Sequence, residues 1–386
     1  GFRSGLSTID AVTKLVSSVI HGFEDCSRTS IVMYDLSKAF DCVSHETLVS
    51  KLNYYGVRDI ELHFFKSYLS DRKQAVYLNG EVSDFLRTDS GVPQGSVLGP
   101  LLFLIMINDF SINVGCDTIL FADDTTLYHT SRSIDIIKQI IANSAHESMQ
   151  WFKNNGFLLN VNKTMYMNFS LTETKDADIC DTVTLLGITL DKKLTWSSHV
   201  DNICARLSRV LYLLRHLKGL VPSTYLRSAY YAFFNSILLY GICLWGNSSG
   251  VSRVLLLQKK AIRILTGSQF DAHCRPLFAS EKILTVINLY IYHCLLHIKR
   301  NFTNYCIRRD LHHYPTRGNH NIVESNVRLT KSKKWFECMA VSMFNKLPEN
   351  VQSLDYKLFK RSLYNWLTCN PFYKTDEYLS SIIIIR

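Results

Sequence analysis

Apolar and polar positions near the start of the chain follow first a strand pattern and then a helix pattern. Thr29 to Tyr34 (TSIVMY) is a β-branched, apolar run of strand length, and it ends at Asp35. Ser44 can accept a hydrogen bond from the backbone that follows it, so it predicts the start of a helix. The helical pattern continues to about Tyr55, and Gly56 predicts its end.

The same alternation continues along the first half of the chain, where Asn79-Gly80 is the strongest short signal for a β-hairpin. Strands are predicted at Gln74 to Leu78, Asp84 to Thr88, Thr118 to Phe121, Thr125 to His129, Met165 to Phe169 and Val183 to Leu190. Helices are predicted from about Leu101 to Ile107 and over Ser133 to Asn154. Apart from the small hairpin, the order is strand, helix, two strands, helix, strand. This is the split βαβ order of a ferredoxin-like α+β sheet with helices on one face.

Beyond Trp196 the pattern becomes helical and remains so. One apolar stripe recurs at steps of three and four residues, and its members are Val200, Ile203, Leu207, Val210, Leu214 and Leu217. Arg206 and Arg209 lie off this stripe, and a solvated helix face is the simpler interpretation of them taken alone. Further helices are predicted at Ser223 to Leu239, Ser252 to Leu265 and Lys282 to Lys299. The longest apolar stretch, Ala229 to Trp245, contains polar residues and predicts a core helix, not a membrane span.

The distribution of charge is more informative than the total of +10. Residues 1 to 200 hold 17 Lys and Arg against 23 Asp and Glu, a net charge of −6, whereas residues 201 to 386 hold 26 against 10, a net charge of +16. A second half of this kind suits a polyanion such as nucleic acid, although a merely basic soluble protein explains the charge equally well. With 47% apolar and 20% charged residues, the chain is not disordered or collagen-like.

Eleven cysteines are scattered without a C-x-x-C pair, which favours reduced thiols in an intracellular protein over a disulfide framework. His293 and His297, in HCLLH, are spaced to lie on one helix face, and this spacing can bind zinc. No nearby C-x-x-C completes such a site, and small core residues are the simplest interpretation of the cysteines.

Asp123 and Asp124 lie at the tip of a predicted hairpin between two apolar strands. A solvated Asp-Asp turn explains the pair by itself, since Asp is common in turns. Asp35, at the end of another strand of the same predicted sheet, changes the balance. If the strand ends adjoin, Asp35 and Asp123 form a carboxylate cage suited to divalent cations. Two such ions about 3.5 to 4 Å apart serve phosphoryl transfer, and the spacing alone does not separate polymerisation from hydrolysis.

The residue identities of five motifs are more informative than the spacing of the carboxylates. They are IVMYDLSKAFD at Ile31 to Asp41, SGVPQGSVLGP at Ser90 to Pro100, LFADDTTLY at Leu120 to Tyr128, LNVNKT at Leu159 to Thr164, and LLGITLD at Leu185 to Asp191. In order and spacing they resemble the palm motifs of the reverse transcriptases of non-LTR retrotransposons, most of all the Jockey-type elements of animals. GFRSGLSTIDAV, LYGICLWGN, LQKKAIRIL and FNKLPENV also resemble segments of that family, so the resemblance covers nearly the whole chain.

The resemblance implies that Asp35, Asp123 and Asp124 form a catalytic, metal-binding triad, and that the backbone carbonyl of Leu36 completes the metal shell. The implied cofactor is a pair of Mg²⁺ ions, for which Mn²⁺ can substitute. Phe40 matches the residue that stacks under the incoming sugar and excludes a 2′-hydroxyl. Ordinary core packing is the alternative role for Phe40.

Gln94 and Gly95 match the loop that touches the incoming nucleotide and its template partner. Lys163 matches the lysine that protonates the departing pyrophosphate, with a surface lysine as the alternative. LLGITLD matches the hairpin that grips the primer end. The resemblance also makes the basic helices of the second half a thumb, in which Arg206 and Arg209 contact the phosphates of the hybrid duplex.

The whole chain is predicted to be an α+β right-hand polymerase palm followed by a mostly helical thumb and C-terminal region. We expect a residual fingers or palm-entry segment over residues 1–28, the palm over 29–195, the thumb over 196–270 and a basic helical region over 271–386. An endonuclease and most of the fingers are expected to lie outside this chain, which we interpret as part of a longer protein. Asp41 is expected to cap or orient the helix that follows it.

The predicted function is RNA-directed DNA polymerisation, in which an RNA template is copied from a DNA primer end with deoxynucleoside triphosphates. A catalytically inactive, nucleic-acid-binding remnant is the alternative, and another right-hand polymerase, such as an intron maturase or a telomerase relative, is a weaker third. The intact triad and SGVPQGS loop favour the polymerase. We expect an intracellular ribonucleoprotein of nucleus and cytoplasm, with no membrane partner. No oligomeric state is predicted.

Overall fold

The computed structural model describes residues 1–172, 180–311 and 318–385. The chain divides into two compact units, Gly1–Leu186 and Gly187–Arg386. The first unit mixes strands and helices and the second is almost entirely helical, which confirms the α+β fold class. The finer division of the chain into four segments stays a prediction.

Most of the predicted helices and strands of the first unit are present close to their sequence signals. The single strand predicted over Val183 to Leu190 is wrong, because positive φ angles at Leu186 and Gly187 break it. Its helices are α1 (Thr8–Glu24), α2 (His45–Tyr54), α3 (Asp59–Leu69), α4 (Gly99–Ile107) and α5 (Ile134–Asn154). Its strands are β1 (Arg28–Tyr34), β2 (Leu36–Ser37), β3 (Lys73–Gln74), β4 (Tyr77–Leu78), β5 (Glu81–Val82), β6 (Leu86–Arg87), β7 (Asp117–Phe121), β8 (Asp124–Ser131), β9 (Leu158–Leu159), β10 (Met165–Phe169) and β11 (Thr182–Leu185). The side chains of Ser44 and Ser133 accept backbone hydrogen bonds and cap α2 and α5.

Four strands form the central antiparallel sheet, in the order β10-β1-β8-β7. This is the strand order of a split βαβ sheet, so the ferredoxin-like topology predicted from the element order is confirmed. In the register of the two inner strands, Tyr34 lies opposite Thr125. One step further along the same register, Asp35 leaves β1 beside Asp124, the first residue of β8.

Both faces of the central sheet are covered, which differs from the expectation of helices on one face. On one face, Val32 and Tyr34 pack with residues of α4 and α5 in a buried cluster. The aromatic core on this face includes Phe110, whose ring is stacked on that of Phe152 at 5.0 Å. The apolar side of α1 contacts β1, β7 and β8, and Ile31, which points away from the α5 face, is 1% exposed. Since α1 precedes the split βαβ pattern, that pattern did not predict it.

The Asn79-Gly80 hairpin is present, with β4 paired to β5 and, further from the turn, β3 paired to β6. Asn79 and Gly80 have φ angles of 52° and 91°. Positive φ at both central residues is the requirement of a type I′ turn, which explains the choice of these two residues.

The second unit confirms the predicted change to helices. It contains strand β12 (Ile188–Asp191) and helices α6 (Ser197–Leu217), α7 (Ser223–Ala229), α8 (Ser236–Leu239), α9 (Ile242–Trp245), α10 (Val251–Thr266), α11 (Cys274–Ser280), α12 (Val286–Arg300), α13 (Arg308–Leu311), α14 (Thr330–Lys334), α15 (Phe336–Asn345), α16 (Glu349–Gln352), α17 (Tyr356–Cys369) and α18 (Thr375–Ser380). On α6, the predicted stripe members Val200, Ile203, Leu207 and Leu214 are buried. No helix in the described parts of the chain is long and apolar enough to span a membrane.

Two helix predictions in this unit differ from the structure. The segment Ser223–Leu239 is helical throughout, but a π-helical turn over Tyr230–Asn235 separates α7 from α8. The prediction of one core helix over Ala229 to Trp245 is wrong, because the chain turns at Gly241, whose φ is 64°. Only glycine adopts this left-handed conformation without strain.

A network of buried polar side chains joins α10, α12 and α17. Gln258 and Asn288 are both 0% exposed. The Nε2 of Gln258 donates to the hydroxyl of Tyr230 and the carbonyl of Leu284, and its Oε1 accepts from the backbone N of Val286. The Nδ2 of Asn288 donates to the carbonyls of Leu367 and Asn370, and its Oδ1 accepts from the backbone N of Phe372.

Candidate active site at one end of the central sheet

The hairpin between β7 and β8 carries two acidic residues at its tip. Phe121 lies opposite Asp124, so Ala122 and Asp123 are the two loop residues. Asp124 therefore belongs to β8, where the sequence pattern had placed it in the connection. Ala122 has a φ of 53°, the left-handed value that the first loop residue of a type II′ hairpin requires.

Asp35 lies at the same end of the sheet, held between two segments. Its carbonyl accepts a hydrogen bond from the backbone N of Asn160 at 3.0 Å. The next residue, Leu36, is buried and pairs with Leu159 of β9. This pairing places the LNVNKT motif beside Asp35, and the Nζ of Lys163 lies 3.3 Å from the Asp35 Oδ2. The structure thus places Asp35, Leu36 and Lys163 close together.

The three carboxylates influence one another electrostatically. The pKa of Asp124 is raised from its ordinary value, first by desolvation and then by the negative charges of Asp123 and Asp35. In the part of the chain that the structure describes, the carboxylates of Asp123 and Asp124 have no hydrogen-bond or ion-pair partner. The end of the sheet therefore carries negative charge that the protein itself neutralises only at Asp35, through Lys163.

The donor set fits a hard divalent cation in its chemistry. Carboxylate and carbonyl oxygens are the ligands that Mg²⁺ and Mn²⁺ prefer, and the backbone brings Asp35, Leu36, Asp123 and Asp124 to one end of the sheet. Across residues 1–172, 180–311 and 318–385, no three His, Cys, Asp or Glu side chains converge closely enough to hold a metal ion. The site therefore fits a divalent cation in the type of its donor atoms and in the placement of the backbone that carries them.

Phe40 is half-buried and joins the core to the SGVPQGS loop. Its ring is stacked on Phe103 of α4, with 4.4 Å between the ring centroids and 22° between the planes. Its carbonyl accepts a hydrogen bond from the backbone N of Val92 at 2.9 Å. The ring thus has a packing role, and the sugar contact expected for Phe40 stays a prediction.

Two glycines shape the SGVPQGS loop for different reasons. A Cβ on Gly91 would lie 2.9 Å from the backbone of Asp41, so only glycine permits this close approach. Gly95 has a φ of 79° and no atom within 4 Å of a Cβ position, so glycine serves the left-handed backbone there. Gln94 and Gly95 are exposed, at the turn of the loop.

The role expected for Asp41 is wrong. Helix α2 is capped by Ser44, whose Oγ accepts from the backbone N of Thr47. The Asp41 carboxylate instead accepts a hydrogen bond from the Nε2 of Gln94 at 2.9 Å. No pattern along the chain could have revealed this contact, because its two residues are 53 positions apart.

Further predicted residues lie in the second unit. Arg206 and Arg209 are exposed on α6, off its buried stripe, as the periodicity predicted. The pKa of His293 is lowered, mainly by burial. The ring of His297 contacts the Phe336 ring edge-on at 5.2 Å. The phosphate-binding role of the arginines stays a prediction, and no third metal-ligating side chain joins His293 and His297 among the described residues.

Comparison with known proteins identifies the class of this fold and site. Residues 1–190 match the family model of reverse transcriptase (RNA-dependent DNA polymerase). The chain is 28% identical over 347 residues to the probable RNA-directed DNA polymerase from transposon BS of Drosophila melanogaster, covering 81% of this chain and 36% of the relative. It is 26% identical over 310 residues to the RNA-directed DNA polymerase from mobile element jockey of the same species, covering 73% and 33%. A solved apo telomerase from Candida tropicalis is 14% identical and has a TM-score of 0.38, covering 76% of this chain and 53% of that one.

Residues 1–190 are thus a reverse transcriptase domain, with the candidate triad at the end of its central sheet. The RNA-directed DNA polymerases of transposable elements to which most of the chain is similar support a LINE-type reverse transcriptase. Reverse transcriptases use divalent metal ions and an RNA template. The chain spans about a third of the length of the curated relatives that it matches.

Proposed function

We propose that this chain carries the polymerase activity of a non-LTR retrotransposon and extends a DNA primer end on an RNA template. The observation that supports this most is the register of the central sheet, which places Asp35 beside the Asp123-Asp124 hairpin. Carboxylates on adjoining strand ends are the arrangement that two-metal nucleotidyl transfer needs.

The site residues receive the following roles in this proposal. Asp35, Asp123 and Asp124, with the Leu36 carbonyl, would hold two Mg²⁺ ions, for which Mn²⁺ can substitute. When bound, such ions activate the attacking hydroxyl and stabilise the developing charge on the phosphates. The Nζ of Lys163 lies beside the Asp35 carboxylate, whose negative charge favours the protonated amine. Lys163 would donate this proton to the departing pyrophosphate.

The incoming deoxynucleoside triphosphate would be positioned by two further segments. Phe40, fixed by its stacking on Phe103, would meet the sugar and exclude a 2′-hydroxyl. Gln94 and Gly95, exposed at the turn of the loop, would contact the nucleotide and its template partner. An amide offers both a donor and an acceptor, and a glycine lets the backbone approach a base pair closely.

The second unit would track the template-primer duplex. Arg206 and Arg209 are exposed on one helix of a region whose net charge, over residues 201–386, is +16. Arginine side chains on such a surface attract phosphates without reading sequence. We also propose that the protein works inside the cell as a ribonucleoprotein, in nucleus and cytoplasm, because its template is RNA and its product must reach chromosomal DNA.

A second candidate function is nucleic-acid binding without catalysis. It is favoured by one observation, that the described His, Cys, Asp and Glu side chains form no three-ligand group for a metal ion. In that case the basic second half would still bind RNA, while the carboxylates at the end of the sheet would have lost their partner ions.

Primer extension separates the two candidates. The chain, its Asp123→Asn variant and an Asp117→Asn control at the far end of strand β7 would be given an RNA template, a DNA primer, Mg²⁺ and deoxynucleotides. The polymerase proposal expects extension by the parent and the control, but not by Asp123→Asn. Binding of primer-template without extension by any of the three, both in this chain and in one that restores the expected upstream fingers segment, would establish the binding remnant. Undiminished extension by Asp123→Asn would overturn the role of the carboxylates.

A further inference from the structure

We infer that Asp41 is a positioning residue, whose carboxylate fixes the Gln94 side chain in the orientation that meets the incoming nucleotide. The inference rests on the proposed function, since the nucleotide contact of Gln94 is part of that proposal. It adds a residue for which the motif resemblance gives no role in nucleotide binding.

The hydrogen bond between the two side chains selects one orientation of the amide. The Nε2 of Gln94 donates to the Oδ1 of Asp41 at 2.9 Å. An ionised carboxylate accepts hydrogen bonds and cannot donate them, so it pairs with the amide nitrogen and not with the amide oxygen. The Oε1 of Gln94 is therefore directed away from Asp41, where it can accept from a base. Because the acceptor is charged, this bond is stronger than one between neutral groups.

Asp41 can hold another residue because its own backbone is fixed. Its carbonyl accepts a hydrogen bond from the Oγ of Ser90 at 3.1 Å, and its N donates to the carbonyl of Lys38 at 2.8 Å. Gly91 packs directly against its Cα and carbonyl. A carboxylate on such a base has little freedom to follow Gln94 if the loop moves.

The tether lies at the point where the other loop contacts end. Gly91 and Val92 are bonded to the preceding motif through their backbone N atoms, to the carbonyls of Val43 and Phe40 at 2.8 and 2.9 Å. After Pro93, Gln94 and Gly95 are exposed and Val97 is 95% exposed, and the loop returns to the core at Leu98. Among the hydrogen bonds of described residues, the one to Asp41 is what ties the turn at Gln94 back to the protein.

Asp41 also links two functions that the proposal assigns to separate segments. It directly follows Phe40, the residue proposed to test the sugar, and it lies six positions after Asp35. A single short stretch of chain would thus place a metal ligand, the sugar contact and, through Asp41, the amide that contacts the base.

The first test is steady-state primer extension by four proteins: the parent, Asp41→Ala, Asp41→Asn and Asp89→Asn. We expect Asp41→Ala to raise the KM for the incoming deoxynucleotide about tenfold, the effect of losing one charge-assisted hydrogen bond, with kcat changed less than about threefold. Asp41→Asn keeps an oxygen that can accept from Gln94, but it loses the charge and can also donate to the Gln94 Oε1, so it should recover only part of the loss. Asp89→Asn removes a carboxylate that is paired only with exposed Arg87 and should behave as the parent.

A double-mutant cycle tests whether Asp41 acts through Gln94. If it does, Gln94→Ala should raise the same KM, and adding Asp41→Ala to it should have little further effect, because the shared contact is already lost. Additive effects of the two substitutions would overturn the inference. An unchanged KM in Asp41→Ala would also overturn it. So would a variant that loses kcat and melting temperature while its KM stays at the parental value.

A second measurement does not depend on activity. Backbone hydrogen exchange over Gln94 to Val97 should become several-fold faster in Asp41→Ala and in Gln94→Ala, and remain at the parent rate in Asp89→Asn. If the parent does not extend primers, the polymerase proposal fails, and this exchange alone decides whether the tether exists. Equal exchange in all four proteins would overturn the tether. Should Asp41→Ala fail to fold, Gln94→Ala at its exposed site tests the same bond from the other side.

Discussion

The polar network around Asn288 and the carboxylates at the end of the central sheet treat polar groups in opposite ways. Asn288 is fully buried and uses both its amide oxygen and its amide nitrogen in hydrogen bonds to backbone groups. Asp123 and Asp124 lie at the surface, within reach of each other's charge and of Asp35, and no described residue compensates them. The first arrangement stabilises the fold, whereas the second leaves binding capacity for something outside the chain.

The difference shows how a structural polar group can be told from a functional one. Burial makes an unsatisfied amide costly, so the buried network is complete. Surface carboxylates tolerate mutual repulsion at a smaller cost, and that repulsion is what a bound cation would relieve. Substitutions in the two regions should therefore affect stability and activity in opposite proportions.

The largest expected effect is on activity at the end of the sheet. Asp123→Asn should lower the primer-extension rate at least about 10³-fold, the size expected when the stabilisation that bound ions give to the transition state is lost. Binding of RNA, measured by fluorescence anisotropy, and the unfolding midpoint should stay at parental values. A large drop in stability would place Asp123 with the structural group and break the comparison.

The next effect is on stability in the second unit. Asn288→Ala should lower the free energy of unfolding by about 2 kcal/mol, because the buried backbone N of Phe372 and the carbonyl of Asn370 lose their side-chain partner, while the carbonyl of Leu367 keeps the backbone N of Asn370. Denaturant unfolding measures this change. Asn365→Ala, at an exposed position on α17, is the matched control and should be nearly neutral. Equal effects at the two positions would remove the structural role of Asn288.

Phe40 is expected to act both as a residue that stabilises the fold and as a residue that contacts the nucleotide. Phe40→Val should permit ribonucleotide incorporation, because the smaller side chain no longer blocks a 2′-hydroxyl. It should also lower stability by about 1 to 2 kcal/mol, since the stacking on Phe103 is lost. Competition between ribo- and deoxynucleotides in primer extension measures the first effect. An unchanged preference for deoxynucleotides with reduced stability would make Phe40 a core residue only.

The smallest expected effect is a pH dependence at Asp124. The pKa of Asp124 is raised in the folded protein, so the folded state holds its proton more tightly than the unfolded state does. Stability should therefore fall as the pH rises from the ordinary pKa of an Asp carboxyl through the raised pKa of Asp124. Asp124→Asn should be more stable than the parent at pH 7, and the difference should shrink in acid. Thermal melts at both pH values measure it, and a variant less stable than the parent at pH 7 would contradict the repulsion.

Local signals explain which parts of the fold the sequence could predict. The starts of α2 and α5 depend on Ser44 and Ser133, whose capping bonds span only a few residues. The Asn79-Gly80 turn is equally local. The π-helical turn over Tyr230–Asn235 and the break at Gly241 leave the apolar pattern uninterrupted, so hydrophobic periodicity alone did not show them.

The site divides in the same way. The apolar patterns placed Asp35 at the end of one strand and Asp123 and Asp124 at the tip of a hairpin, and the register brings these ends together. Their grouping as a triad came from the motif resemblance. Lys163 near Asp35 agrees with the motif resemblance. The bond between Asp41 and Gln94 could not be predicted, since it joins two loops by tertiary packing and leaves no periodic mark on either.

The strand order of the central sheet has a consequence for synthesis of the protein. Strand β1 is an inner strand of the sheet, and both of its partners, β8 and β10, follow it much later in the chain. A ribosome adding about 5–20 residues per second makes β8 about 5 to 20 seconds after β1. During that interval RTSIVMY, a β-branched apolar segment, emerges with both edges unpaired, which is the condition for aggregation of nascent chains. The same strand that carries Asp35 is therefore the segment of the nascent domain that most needs chaperone protection.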